Sequence, residues 1–77
     1  MRILGVDPGI SITGFSIIDV KRNIPTLSAY GTIKSNQKDS LPKRVNYLFE
    51  EMNKILDQFN PDILSIEDIF YSKNVKS

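Results

Sequence analysis

Two acidic residues, Asp7 and Glu67, each stand at the end of a short apolar run, and Asp7 directly precedes Pro8 and Gly9. Placing a carboxylate at the end of an apolar segment without a partner is costly, so such a residue needs a ligand or a structural role. Two carboxylates that lie side by side repel each other, and a divalent cation between them removes that repulsion and supplies a Lewis acid. The pair therefore predicts a site for a hard cation such as Mg²⁺, with Mn²⁺ as a possible substitute.

The same residues also allow a structural interpretation. An Asp before Pro-Gly often caps nearby backbone N–H groups within a turn. Asp68, which follows Glu67, should point to the opposite face of its strand and is expected to be solvated. The residues alone leave both interpretations of Asp7 open.

The elements that would position the two carboxylates follow from the hydrophobic pattern. Strands are predicted at residues 2–7, 13–20, 27–33 and 62–67, with a loop at 21–26 and a helix between the third and fourth strands. Three consecutive strands joined by short connections favour an antiparallel meander, and the helix then crosses over to a strand parallel to an earlier one. If the first and fourth strands are parallel neighbours, Asp7 and Glu67 lie at the same edge of a mixed sheet.

Helical spacing of apolar residues predicts the helix. These residues are Leu41, Val45, Leu48, Phe49, Met52, Ile55, Leu56 and Phe59. Ser40 or Asp39 can cap its start, Pro42 suits its first turn, and Asn60 before Pro61 ends it. Glu50 and Lys54 are predicted to form an i,i+4 ion pair on its exposed side.

Composition limits the possible chemistry. The chain of 77 residues has no cysteine and no histidine, which excludes zinc held by thiolate or imidazole within it and leaves oxygen ligands. A net charge of +1 gives no basic excess typical of a nucleic-acid module, and Lys21, Arg22, Lys43 and Arg44 are expected to be solvated. No apolar run approaches the roughly 20 residues of a membrane-spanning helix, so a cytoplasmic location is predicted.

Four segments of the chain form a recognisable pattern in their order and spacing. Residues 3–9 read ILGVDPG and are followed by TGF at 13–15, and residues 66–70 read IEDIF and are followed by SKN at 72–74. Leu41-Pro42 at the helix start and residues 59–62 (FNPD) at its end complete the pattern. Each segment is moderately specific, but together, in this order and spacing, they cover the whole chain and resemble the RuvC family of Holliday-junction resolvases.

The resemblance implies an α/β, ribonuclease H-like fold, with residues 1–77 as the N-terminal part of a single nuclease domain. It implies magnesium-dependent, symmetrical nicking of four-way DNA junctions in recombination and repair, by a homodimer that works with the RuvA and RuvB branch-migration proteins. By motif, Asp7 and Glu67 would be the first two of four acidic metal ligands and would be catalytic.

Three further residues are predicted DNA contacts: Phe70 from the resemblance, and Lys73 and Lys76 because no acidic residue follows Asp68 and the terminal segment is locally basic. Phe70 matches an aromatic that the family places at the junction centre, where it could stack on bases; the alternative is an apolar plug over the sheet edge. Lys73 and Lys76 would contact DNA phosphates, or simply stand at a solvated helix start.

Two alternatives accompany this prediction. Asp7-Pro8-Gly9 with Ser11 and Thr13 loosely fits the phosphate hairpin of the actin and sugar-kinase superfamily, which would make the chain part of a phosphotransferase or ATPase. The rigid proline and the residues after Glu67 favour the nuclease. The family takes its other two acidic ligands from a C-terminal helix absent from these 77 residues, so we expect a fragment that is inactive alone.

Overall fold

The computed structural model describes residues 1–66 as a four-stranded mixed sheet with one helix on a single face. The elements are β1 (Arg2–Asp7), β2 (Ile12–Lys21), β3 (Ile24–Lys34), α1 (Leu41–Phe59) and β4 (Ile63–Ile66). The sheet order is β3-β2-β1-β4, with antiparallel β1–β2 and β2–β3 pairs and a parallel β1–β4 pair. The predicted order of elements, and the crossover to a parallel strand, are confirmed.

The core lies between the sheet and α1. Leu4 and Ile17, which pair across β1 and β2, are fully buried, and Ile33 and Ile55 join them. Partly buried apolar side chains pack around these four; those from the helix are Leu48, Met52, Leu56 and Phe59. The predicted apolar side of the helix therefore covers the sheet, except that Leu41, Val45 and Phe49 near its start are exposed.

The loop predicted at residues 21–26 is instead a tight hairpin turn. Arg22 and Asn23 both have positive φ, at 54° and 64°, as the two-residue turns that match strand twist require. β3 begins at Ile24 and includes Pro25, which pairs with Val20. The prediction was wrong because β3 is an edge strand, where a proline without an N–H can remain in the strand.

A β-bulge changes the predicted alternation of β3. Ile17 pairs with Ala29 but Ile18 pairs with Leu27, so Ser28 is an extra residue between them. Regular alternation along the predicted strand 27–33 would place Leu27 on the same face as Ala29. The extra residue moves it to the face away from the helix, where its side chain is 57% exposed.

The ends of α1 lie where the sequence predicts. Ser40 occupies the N-cap position, although its side chain makes no capping hydrogen bond, and Pro42 stands in the first turn. Asn60 adopts a left-handed conformation, with φ of 46°, and its N–H donates to the carbonyl of Leu56 at 2.8 Å. Pro61 thus follows a helix that has already ended.

The ion pair on the exposed side of α1 differs from the prediction. Lys54 Nζ contacts Glu51 Oε2 at 2.7 Å, and this hydrogen bond raises the pKa of Lys54. Glu50 instead accepts a hydrogen bond from Asn46 Nδ2 at 3.0 Å. The predicted Glu50–Lys54 pair was wrong because positions three apart on a helix are also neighbours.

Within residues 1–66, no helix is both long and apolar enough to cross a membrane.

Arg2 joins the end of α1 to the sheet through a group of contacts named here the Arg2 cluster. Its Nε and Nη2 donate to the two carboxylate oxygens of Asp19 at 2.8 and 3.0 Å, and its Nη1 donates to the carbonyl of Phe59 at 3.0 Å. The guanidinium also lies 6.0 Å from the centre of the Phe59 ring. Asp62 exchanges two hydrogen bonds with the Arg2 backbone, at 2.7 and 2.8 Å. The cluster therefore joins β1, β2, the end of α1 and the residue before β4.

Candidate metal site

Asp7 lies at the sheet edge where β1 and β4 both end. The parallel register runs from Ile3–Ile63 to Val6–Ile66, so the carboxyl ends of the two strands are adjacent. Asp7 is the last residue of β1, pairs with Gly14 of β2 and is exposed. The predicted arrangement of parallel neighbours is confirmed.

The other predicted site residues lie outside the described range. Glu67 directly follows Ile66 in the chain, and Phe70, Lys73 and Lys76 come later. Their roles remain predictions from the sequence.

Small residues surround Asp7 and leave room beside it. A cleft of about 340 Å³ is lined by Gly5, Val6, Asp7, Gly14, Phe15, Ser16, Gly31 and Ser65. A Cβ at Gly14 would lie 3.8 Å from the Cβ of Asp7, and one at Gly5 would lie 2.9 Å from Ser16 Oγ. Glycine inside a strand often marks a place where a ligand or another backbone approaches closely.

The sequence contained this signal, since Gly5 and Asp7 are two residues apart on one strand and share a face. The spacing becomes informative once the register places Gly14 opposite Asp7.

Thr13, rather than Asp7, caps the turn that follows β1. The Thr13 hydroxyl is buried, donates to the carbonyl of Gly9 at 2.7 Å and accepts from the Gly9 N–H at 3.2 Å. A Cβ at Gly9 would overlap the carbonyl oxygen of Ile12, so only glycine fits there without a shift. Thr13 thus supplies the side-chain hydrogen bonds to Gly9, and within residues 1–66 the Asp7 carboxylate has no hydrogen-bond partner in this turn.

A second set of contacts holds the same turn from the helix side. Arg44 Nε donates to Ser35 Oγ at 3.0 Å, and its Nη2 donates to Ser11 Oγ at 3.0 Å. The Ser35 hydroxyl in turn donates to the carbonyl of Ile10 at 2.5 Å. The expectation that Arg44 is merely solvated was wrong because its side chain reaches two other segments.

The remaining basic residues of that group agree with the prediction. Lys21, Arg22 and Lys43 are all exposed. Arg44 is half-buried and is the member of the group that makes specific contacts.

The donor chemistry at this edge fits a hard cation. Asp7 offers an exposed carboxylate, and oxygen is the ligand that Mg²⁺ and Mn²⁺ prefer. Within residues 1–66, no three acidic, histidine or cysteine side chains converge to form a complete metal site. Asp7 therefore offers one carboxylate of the expected chemical type, placed where a second strand ends beside it.

Structural comparison defines the fold class. The RuvC of Thermus thermophilus, solved in complex with a Holliday junction substrate, aligns with a TM-score of 0.79 at 22% identity and covers 88% of this chain and 44% of that one. An exopolyphosphatase from Cytophaga hutchinsonii aligns with a TM-score of 0.69 at 14% identity, over 86% of this chain and 24% of its own. The mixed sheet and helix thus form part of a ribonuclease H-like fold.

Sequence comparison then identifies the family. The family model described as crossover junction endodeoxyribonuclease RuvC matches residues 3–77. The protein of that name from Finegoldia magna is 47% identical over 77 residues, which is 100% of this chain and 47% of that protein. The chain belongs to the RuvC family, as its motifs indicated, and spans about half the length of the curated relatives it matches.

Proposed function

We propose that this chain supplies metal-binding carboxylates to a structure-selective endonuclease that resolves four-way DNA junctions in recombination and repair. The observation that supports this most strongly is the position of Asp7. Its carboxylate is exposed at the end of a central strand, beside a parallel strand that ends at the same edge, in a chain of the RuvC family. The reaction is phosphodiester hydrolysis, with symmetrical nicks in two strands.

Asp7 and Glu67 are the proposed ligands in this chain. The last described pair of the parallel register is Val6–Ile66, and Asp7 and Glu67 are the next residue along each strand sequence. The proposed metal is Mg²⁺, with Mn²⁺ as a substitute; when bound, such ions activate the attacking water and stabilise the leaving oxygen.

The surroundings of Asp7 suit an approaching phosphodiester. β1 is paired on both sides, by β2 and β4, so the backbone that bears the carboxylate is fixed. Gly14 presents no side chain on the neighbouring strand, so bulky DNA can approach the carboxylate from that side. Asp7 would therefore hold the metal ion, which meets the reacting phosphodiester, from a rigid position.

The proposed partners follow the family. Phe70 would stack on bases at the junction centre, and Lys73 and Lys76 would contact phosphates. The Thermus thermophilus relative was solved with Holliday junction DNA, which supports junction DNA as the substrate. A homodimer acting with RuvA and RuvB in the cytoplasm completes the proposal.

The shared fold leaves phosphoanhydride hydrolysis as a second candidate. The structural likeness to an exopolyphosphatase shows that the same sheet and helix occur in an enzyme of that kind. Family membership favours DNA cleavage, because the match to the RuvC model extends over residues 3–77.

A substrate panel separates the two candidates. A protein of the relatives' full length that carries this chain would be incubated with a four-way junction, the matching linear duplex, inorganic polyphosphate and ATP, each with Mg²⁺ or with EDTA. We expect Mg²⁺-dependent nicking of the junction alone. Hydrolysis of polyphosphate or ATP without junction cleavage would overturn the proposal.

Residues 1–77 on their own are expected not to cleave junctions. Two carboxylates leave most of the coordination shell of Mg²⁺ to water, so binding should be weak. Junction cleavage by the 77-residue chain alone would contradict this expectation.

A further inference from the structure

Ser35 stands where three segments meet near the candidate site. It is buried, with 8% of its surface exposed, and follows the last residue of β3. Its hydroxyl accepts from Arg44 Nε and donates to the carbonyl of Ile10, while its backbone N–H donates to the carbonyl of Ser11 at 3.1 Å. One residue thus joins the β1–β2 turn to both β3 and α1.

The helix itself does not favour a basic residue at the position of Arg44. Its backbone N–H donates to the carbonyl of Ser40 at 3.0 Å, which places it in the first turn of α1. A cation there is opposed by the helix dipole, whose positive end lies at the N-terminus. The side chain makes its hydrogen bonds outside the helix instead, to Ser35 and to Ser11.

The turn after Asp7 is consequently held at three successive residues. Gly9 is bonded to Thr13, Ile10 to Ser35, and Ser11 to both Ser35 and Arg44. Between this turn and Asp7 stands only Pro8, whose ring fixes φ. A displacement of the turn would therefore be transmitted to the backbone of Asp7 with little opportunity to be absorbed.

We propose that Arg44, acting through Ser35 and Ser11, is a positioning residue that fixes the turn after Asp7 and so orients the Asp7 carboxylate for metal binding. The inference rests on the proposed function of Asp7 as a metal ligand. A functional carboxylate must be held within roughly 0.5 Å of its productive position. The hydrogen bonds of Arg44 meet that demand from the helix side, while Thr13 meets it from β2.

A direct phosphate contact by Arg44 is the competing role. Arginine binds phosphate best through two parallel N–H donors. In this structure Nε and Nη2 are both engaged by serine hydroxyls, so the guanidinium is already committed to the turn. The two roles predict different results in the same experiment.

The first measurement is amide hydrogen exchange in metal-free protein of full length. Arg44→Gln would be compared with Arg22→Gln, a charge-matched control at the β2–β3 turn, at the opposite end of the sheet from Asp7. We expect the Gly9 and Ser35 amides to exchange roughly two- to tenfold faster in Arg44→Gln, the factor for a net loss of about one hydrogen bond. The amide of Leu4, within the β1–β2 pair, should be unchanged, and the control should match the wild type.

The second measurement is Mn²⁺ affinity by calorimetry, together with junction affinity in EDTA. We expect Arg44→Gln to weaken Mn²⁺ binding by about tenfold, as outer groups that orient metal ligands typically do, with junction affinity unchanged. Arg44→Lys should recover part of the loss, because an ammonium can reach one serine but lacks the second donor position. Ser11→Ala, at an exposed residue, gives a milder form of the same change if Arg44→Gln does not fold.

Unchanged exchange and Mn²⁺ affinity, with a salt-dependent loss of junction affinity, would make Arg44 a phosphate contact and overturn the inference. Failure of the proposed function has a different signature. In that case the wild-type protein would bind Mn²⁺ no more tightly than Asp7→Asn does, whatever Arg44→Gln shows at the turn.

Discussion

Acidic residues at the two ends of the sheet have opposite environments. At the end near the start of β1, Asp19 accepts two hydrogen bonds from Arg2 and a third, short one from the Ser28 hydroxyl. At the other end, Asp7 is exposed and faces Gly14 across the strand pair. Both are strand residues on adjacent strands, so secondary structure alone does not account for the difference.

The difference shows what each end is built to do. The Arg2 cluster pairs its charges with one another and with the last carbonyl of α1, which joins helix and sheet. Around Asp7, the hydrogen bonds of the described residues hold the turn and do not involve the carboxylate. Within residues 1–66, one end therefore pairs its charges internally, and the other exposes a carboxylate that is available for the proposed metal ion.

The largest effect is expected from Asp7→Asn. Loss of a direct metal ligand should reduce junction cleavage by more than about 100-fold, since even outer-sphere changes reduce metal affinity or activity by 10–100-fold. Junction binding in EDTA and thermal stability should persist, because the fold does not depend on this carboxylate. Gel-based cleavage and binding assays measure both. Asp57→Asn, on an exposed part of α1, is the control and should cleave like the wild type; undiminished cleavage by Asp7→Asn would contradict the comparison.

A smaller effect is expected from Gly9→Ala, which disturbs the turn at the Asp7 end. The added Cβ would overlap the Ile12 carbonyl, so the turn must shift, at an expected cost of about 1–3 kcal/mol. Gly14→Ala is the matched control, because its Cβ would meet Asp7 only at ordinary contact distance, 3.8 Å. Urea unfolding of both variants gives the free energies. Equal destabilisation of the two would show that the turn is not tightly constrained.

The smallest expected effect is a pH-dependent change in stability at the Arg2 end of the sheet. The hydrogen bonds from Arg2 hold the pKa of Asp19 well below its ordinary value near 3.9. A lowered pKa stabilises the folded state above about pH 4, and that stabilisation is lost as the pH falls towards the folded-state pKa. Asp19→Asn should therefore be less stable than the wild type at pH 7, with a difference that shrinks below pH 4.

The measurement for that prediction is the free energy of unfolding of both proteins from pH 7 to pH 2. The difference should be modest, since Arg2 and Asp19 are partly exposed, at 37% and 23%, and solvent screens such pairs. Parallel curves across the whole range would show that the Arg2–Asp19 pair does not contribute to stability.

Much of the fold could be predicted because local patterns determine it. The apolar side of α1 gives its bounds, Asn60 and Pro61 give its end, and a crossover after a meander gives the parallel β4. The hairpin at Arg22 and the bulge at Ser28 were missed. The hairpin requires Pro25 to stand in an edge strand, which the sequence does not show until the strand order is known. The bulge is a property of the β2–β3 register, which the alternation of one strand does not determine.

The sequence predicted the carboxylate of the candidate site, Asp7, but not the side chain of Arg44 that holds the turn beside it. Asp7 was found because its residue type conflicts with the apolar run before it. Arg44 was misjudged because its partners lie 9 and 33 residues away in the chain, at Ser35 and Ser11. Contacts between residues so far apart in the chain are determined by tertiary packing, and no local sequence pattern predicts them.

The most direct test of Asp7 as a metal ligand is whether a metal ion stabilises the folded protein and whether that stabilisation requires Asp7. Thermal unfolding of the full-length protein would be followed with and without Mn²⁺, in the wild type, Asp7→Asn and Asp57→Asn. At a hundredfold excess over Kd, binding should stabilise the wild type and Asp57→Asn by about 2.7 kcal/mol. If Asp7 binds the metal, the rise in melting temperature disappears in Asp7→Asn. An equal rise in all three proteins would show that Asp7 does not bind the metal.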